Sequence, residues 1–500
     1  MGIIARQSIK SSSLNVISTV LGVIAMLFIY TKDLDAYGFL QTLIALALIL
    51  SPFASLGMIG VAIKYFPNFN KDPADRSVFL GFLLLITTLG SILLVGGYFL
   101  IGIPILNLLD KPTNNFDLYI DHATSICVLS VIQVFITLLE TYTINFYRLT
   151  IQTATTLLLP KIGLPIIILL YVSQGWEYGQ LELALISLQS IVLFSLVGYL
   201  YYLGERKISF HIGPVIRDDK FRELVEYAAF GILGAVGSKI ALSIDTVSLA
   251  SYVSPEEVGI YRILVFAALV INIPFRSLVR ISMPALSKHI ADENVKEIDR
   301  LYQRTSLILS FLGVVLFTGI YISLNDILAL TGKPDAFVGG LLTFAFLGVG
   351  RLFDLSNSIN GQIISLSDMF KYNLALILLL AVLNIVLNWV FIARLDMGMF
   401  GAALATCLSL AVFNTFKTVI VYVRFKIQPF QIAQLLFLIL GILLIIVWMV
   451  IPLNFHPVIN ILLRSAITGA SFVLFVMTTN FLPDLREASR NFLQRFSIFS

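Results

Sequence analysis

Charge is what this sequence has least of. Only 12% of its 500 residues are Asp, Glu, Lys or Arg, while 58% are hydrophobic; ordinary soluble domains carry about 25% charged and roughly 45–50% apolar residues. So little charge cannot cover a water-facing surface, which excludes a soluble globular fold and leaves a bilayer as the natural solvent. Cysteine is almost missing as well. Cys127 and Cys407 both lie in apolar runs, which argues against a disulfide framework, and neither has the spacing of a metal site. The four histidines are scattered singly, so no metal centre is expected. There is no phosphate-cradling loop, no paired-carboxylate site and no nucleophile motif, and every polar loop is short. Those absences disfavour an ATP-driven pump and any membrane enzyme that needs a large extramembrane loop. No cofactor and no nucleic-acid partner are expected.

What is present is a succession of apolar runs. A spanning helix needs about 20 apolar residues, and that ruler places spans near 12–30, 38–66, 78–101, 122–146, 153–173, 181–203, 223–252, 259–285, 303–324, 337–364, 372–393, 399–423, 431–452 and 458–480. The fold class is therefore an all-α integral membrane protein with about 14 transmembrane helices. The opening "MGIIARQSIKSSSLNV" has no small-residue cleavage site, so it reads as a retained first span anchored by Arg6 and Lys10. Arg at position 6, where Ser or Thr is wanted, argues against myristoylation.

With the N-terminus inside, the inner segments hold Arg6, Lys10, Lys71, Arg76 and Arg148, then Arg206, Lys207, Arg217, Lys220 and Arg222. They continue with Lys288, Lys296, Arg300, Arg304, Lys371, Arg424 and Lys426, and end with Arg486, Arg490 and Arg495. The outer loops hold only Lys32, Lys111, Lys333 and Arg394. This asymmetry puts both termini in the cytoplasm.

An internal repeat organises the runs. "YGFLQTLIALALILSPFASLG" (37–57) matches "VGIYRILVFAALVINIPFRSLV" (258–279): each has an early Gly, Gly38 or Gly259, and reaches a Pro-Phe pair at Pro52 or Pro274. Short acidic loops, "TKDLDAYG" and "SPEEVGIY", lead into both. The offset lays the second span on the eighth, so spans 1–6 and 7–12 form two lobes of like orientation. The expected domains are 1–203, a cytoplasmic linker at 204–222, a second lobe at 223–423, and two added spans with a cytoplasmic tail at 424–500. Pro52, Pro160, Pro165 and Pro274 each remove a backbone hydrogen bond within a span and favour a bend.

Three stretches carry a family likeness. "RQSIKSSSLNVISTVLGVIAMLFIYTKDLDAYGFLQT" (6–42) resembles the opening of bacterial polysaccharide-export flippases, and "SIDTVSLASYVSPEEVGIYRI" (243–263) resembles their seventh-to-eighth helix junction. "MGMFGAALATCLS" (397–409) is similar to a helix start common across the multidrug/oligosaccharidyl-lipid/polysaccharide exporter superfamily. The resemblance implies two six-helix lobes facing each other in a V, with two extra C-terminal helices, working by alternating access. It also implies a bacterial inner-membrane flippase that moves a polyprenyl-diphosphate-linked oligosaccharide for surface polysaccharide or lipopolysaccharide biosynthesis. Contact with other glycan-assembly membrane proteins goes with that role. Sister families extrude drugs, so an ion-coupled multidrug exporter is the alternative, and a membrane glycan polymerase or ligase ranks below it.

Charges inside the spans are the candidate site, because each costs about 2.5–3.5 kcal/mol at the bilayer centre. Lys239 and Asp245 share span 7 but stand about 9 Å and about 120° apart, so they do not pair. Lys239 is the candidate ligand for an anionic head group. Asp245 has two readings: a tie to Arg262 that closes the outer gate, or a cavity group that couples Na⁺ or H⁺. Arg276 and Arg280 share a face near the inner mouth, where they either snorkel or line a vestibule for a diphosphate. Arg351 and Asp354 are three apart in "GVGRLFDLSNSINGQ", followed by Asn357 and Asn360; partial self-neutralisation and a cavity role are both open. Glu140 and Lys161 match in depth and are expected to form a hairpin ion pair. Lys64, Lys417 and Arg464 are expected to snorkel at helix ends.

Overall fold

A computed structural model describes residues 3–70, 72–109, 115, 117–146, 149–217, 220–479 and 481–482. Lys71, Lys111, Arg148, Arg486, Arg490 and Arg495 of the charge pattern lie outside the described residues, as does the tail beyond 482.

The described residues are helical, with no strand among them. The helices are α1 (Ile3–Phe28), α2 (Leu34–Ser55, continuing as Met58–Lys64), α3 (Pro73–Gly97, extended to Leu109), α4 (Ala123–Ile144), α5 (Leu159–Gln174, preceded by Leu149–Thr153 and a wide turn), α6 (Tyr178–Tyr202) and α7 (Phe221–Ala250). They continue with α8 (Pro255–Val270 and Ile273–Ala291), α9 (Val295–Ala329), α10 (Gly340–Ser356 and Asn360–Leu366), α11 (Tyr372–Asn388, running on to Arg394), α12 (Gly398–Phe425), α13 (Ile432–Val450) and α14 (Pro457–Thr478). Each of the fourteen apolar runs falls on one of these. Twelve helices among the described residues are long and apolar enough to cross a membrane, and the two pieces of α8, bent by 40°, pass the same test together, which allows up to thirteen. The main piece of α10 is 17 residues long and ends where the helix breaks. The chain is a multi-pass membrane protein.

Local chemistry sets the boundaries. The Asp72 carboxylate accepts the N–H groups of Ala74 and Asp75 at 2.8 Å with Pro73 in the first turn, which starts α3. Asp33 does the same for Ala36 at the start of α2. The Pro-Phe pairs of the repeat both sit at breaks. Pro52 lies near the end of Leu34–Ser55, before left-handed Leu56 and Gly57, and Pro274 lies in the first turn after the α8 bend.

Contacts divide the chain into two compact units, Met1–Gly259 and Ile260–Ser500. In the first, α2 packs on α4 and α7, and Phe79, Leu83, Tyr142 and Leu196 are buried together. The segment after α6 is docked rather than loose. Glu205 pairs with Arg76 at 2.7 Å, Ser209 donates its N–H to the Ser77 carbonyl at 3.2 Å, and Val215 is buried. In the second unit, α10 packs on α12 and α9, while Phe311, Phe437 and Phe472 join α9 to α13 and α14. Because lipid tails are as apolar as the side chains, such contacts hold by close packing and polar ties rather than by exclusion of water.

Candidate functional site

In the first unit the mid-span charges gather around α4, α5 and α7. Lys239 is half-buried on α7, and the opposite charge acting on it is the carboxylate of Glu140 on α4. Glu140 Oε1 also accepts from Gln152 Nε2 at 3.1 Å and Thr156 Oγ1 at 3.2 Å, one turn apart ahead of α5. Lys161 is half-buried on α5, five residues beyond Thr156. Glu140 sits on a helix distant in sequence, so nothing in the α7–α8 hairpin points to it. Asp245 is buried further along α7, and its Oδ1 accepts the Thr246 N–H at 2.8 Å. Arg262 is half-buried on the first piece of α8, in the other unit.

In the second unit the polar centre is the break in α10. Asp354 accepts from Asn272 Nδ2 at 3.5 Å and Asn414 Nδ2 at 3.3 Å, and it is the charge acting on Lys417. Lys417 lies eight residues inside the end of α12, about 12 Å by helical rise. Its Nζ is 4.0 Å from the Phe413 ring centre. It therefore does not snorkel at a helix end, which corrects the expectation from sequence. Arg351, one turn before Asp354, is half-buried.

After Ser356 the helix gives way, with Ser358 at φ 48°, and neighbours take up the freed groups. Ser306 donates to the Ser356 carbonyl, Thr418 donates to Asn357 Oδ1 at 2.5 Å, and Ser358 donates to Thr305 at 2.8 Å. Asn360 lies 3.5 Å from Thr418, and Gln434 of α13 donates to Ser306 at 2.6 Å. Irregular backbone at membrane depth persists only where protein or a cavity satisfies it; here Ser306 of α9 takes the freed Ser356 carbonyl, and Thr418 of α12 and Gln434 of α13 brace the side chains around it. Asn414 and Thr418 are one turn apart on α12, a spacing that could have revealed this face from the sequence.

Arg276 and Arg280 are both exposed on the second piece of α8, four apart on one face. Arg464 is a second correction: instead of snorkelling it pairs with Asp326 of α9 at 2.7 Å, each side chain 14% exposed. Among the described residues no group of three or more His, Cys, Asp or Glu side chains is placed to hold a metal, and Cys127 and Cys407 are buried free thiols.

These observations define the class: an all-helical, multi-span membrane protein. The particular likenesses are as follows. A structure of the lipid II flippase MurJ in an inward closed conformation superposes with a TM-score of 0.70 at 15% identity, over 94% of this chain and 100% of that one. An inward-facing multidrug-resistance MATE transporter of the MOP superfamily gives 0.59 at 11% identity, over 85% and 98%. A MOP superfamily transporter from Pyrococcus furiosus, described with a binding pocket of reversed polarity, gives 0.52 at 14%, over 85% and 95%. No protein-family model matches the sequence, and no curated protein matches it.

Proposed function

We propose that this protein is a flippase that moves a polyprenyl-diphosphate-linked oligosaccharide from the inner to the outer leaflet by alternating access. The observation that carries this reading is the set of cations at membrane depth, Lys239 and Arg351, in a fold shared over nearly its whole length with a lipid II flippase. A diphosphate cannot cross hydrocarbon uncompensated; Lys and Arg supply the counter-charge, and Arg can grip phosphate through two donors. In this reading Arg276 and Arg280 meet the head group at the inner mouth, and Lys239 and Arg351 hold it mid-membrane. Asn357 and Asn360 add polar groups for sugars. The moving lobes are 1–203 and 223–423, joined through 204–222. The protein acts as a transporter and not an enzyme, in a bacterial inner membrane with both termini cytoplasmic, alongside other glycan-assembly proteins.

The rival reading is a Na⁺- or H⁺-coupled drug exporter with Asp245 or Asp354 as the ion site; the amide-bound Asp354 and the likeness to a multidrug transporter favour it. One experiment separates the two. Lys239→Ala combined with Arg351→Ala abolishes surface glycan while protein abundance in the membrane stays unchanged. A deletion strain loses glycan and keeps its drug tolerance. Normal glycan in the double variant removes the cation-site assignment, and normal glycan with drug hypersensitivity in the deletion strain replaces the flippase reading with the exporter.

A further inference from the structure

The sequence repeat and the packing disagree about where the chain divides. The repeat begins its second half before α7, whereas contacts assign α7 and the first residues of α8 to the first unit, up to Gly259. The segment in dispute is held to α2 and the residues before α4 by two sets of contacts, one at each end of the α2–α7 pair.

The outer set centres on the two glycines that the repeat makes equivalent. A Cβ on Gly38 would lie 1.7 Å from the Pro255 carbonyl oxygen, and one on Gly259 would lie 2.2 Å from the Leu34 carbonyl oxygen. Each glycine thus meets the carbonyl four residues before the other, a reciprocal crossing of two helix starts that tolerates no side chain. Around it, Asn115 donates its N–H to the Ser251 carbonyl at 2.7 Å and its amide to the Val253 carbonyl at 2.9 Å. The Tyr119 hydroxyl donates to the Val247 carbonyl at 2.8 Å and lies 2.7 Å from Ser251 Oγ. Burial raises the Tyr119 phenol above its ordinary range, so it remains a donor at physiological pH. Beside these ties lies a cavity of about 630 Å³ lined by Thr42, Asp117, Asp121, His122 and the α7–α8 turn. The turn therefore borders open space as well as packed side chains.

The inner set is separate. A Cβ on Gly57, itself at φ +80°, would lie 2.1 Å from the Ala228 carbonyl oxygen. Lys64 pairs with Glu223 at 3.1 Å and stands 4.2 Å from the Tyr227 ring centre.

We propose that these are two latches of an alternating gate: Gly38–Gly259 with Tyr119 and Asn115 closes the outer mouth, and Gly57–Ala228 with Lys64–Glu223 closes the inner one. The proposal rests on the alternating-access reading, though not on what is carried. Each latch closes where a glycine meets a carbonyl group directly, and the Lys64–Glu223 pair beside the inner one is already exposed, so neither separates at the cost of a buried charge pair. Each turnover opens one latch while the other stays shut.

The test uses the full chain in lipid nanodiscs with spin labels at exposed positions, Asp117→Cys with Glu256→Cys outside and Asn68→Cys with Arg222→Cys inside. The two native thiols are buried away from the label. Gly38→Ala is expected to lengthen the outer distance and leave the inner one short; Gly57→Ala is expected to do the reverse. Tyr119→Phe and Glu223→Gln weaken one latch each without adding bulk, and they give the same split if the alanine variants do not accumulate. Distances that lengthen together, or that do not change, overturn the two-latch proposal. Either outcome leaves the substrate assignment to its own glycan assay.

Discussion

Arg464 of α14 and Asp326 of α9 form a half-buried ion pair at 2.7 Å, and the same guanidinium nitrogen donates to the Ile322 carbonyl at 2.7 Å. Asn460 donates to the second Asp326 oxygen at 2.9 Å, so the carboxylate is held from two positions on α14. This knot ties an added C-terminal helix to the body of the second unit.

Removing one member of that pair strands the other charge. Asp326→Asn or Arg464→Met is expected to destabilise the second unit by about 3 kcal/mol, and Asp326→Leu with Arg464→Met to recover most of the loss. Thermal melts in nanodiscs, with hydrogen exchange of α14, measure this. Equal losses in single and double variants refute it.

At the α10 break Asp354 is held by two amides and acts on Lys417 through space rather than in a close ion pair. Lys417→Met removes a counter-charge that acts on Asp354 and is expected to cost about 2 kcal/mol at most, the size of a through-space charge interaction in a partly solvated site. Asp354→Asn introduced with it restores stability to within about 1 kcal/mol, a coupling that a double-mutant cycle reads directly.

Glu140 offsets the positive charge of Lys239. Glu140→Gln is expected to tighten binding of a diphosphate lipid roughly threefold to tenfold, the size of a charge interaction in a partly solvated site. In a Lys239→Met background the same change has no effect. Titration calorimetry with the purified protein in detergent decides it, and equal effects in both backgrounds rule out coupling through Lys239.

Gly81 sets how the segment after α6 docks, because a Cβ there would lie 2.1 Å from the Ser209 carbonyl oxygen. Gly81→Ala is expected to detach this segment, lower the melting temperature by several degrees and expose 205–212 to protease. Gly198, where a Cβ would meet nothing within 4 Å, is the control: Gly198→Ala is neutral or stabilises by about 0.5–1 kcal/mol.

Most of the helical architecture is legible in the sequence, and the reason is lipid. A segment surrounded by hydrocarbon must satisfy its own backbone and stay apolar over a fixed length, so span positions follow from local composition. The Pro-Phe pairs noted in the sequence lie at the breaks in α2 and α8. Span count, the glycine equivalence of 38 and 259, and the list of mid-membrane charges needed no tertiary information.

Pairing needed it entirely. Asp326 stands 138 positions before Arg464, and Asp354 meets Asn272 and Asn414 across gaps of 82 and 60. No periodicity encodes such partners, because they depend on which helix faces lie together. The sequence by itself determined that this chain lives in a membrane, where its helices run and which charges it keeps there. Only the tertiary structure decided which of those charges are answered by neighbours and that α7 lies against α2, because close packing between helices is set by three-dimensional fit rather than by hydropathy.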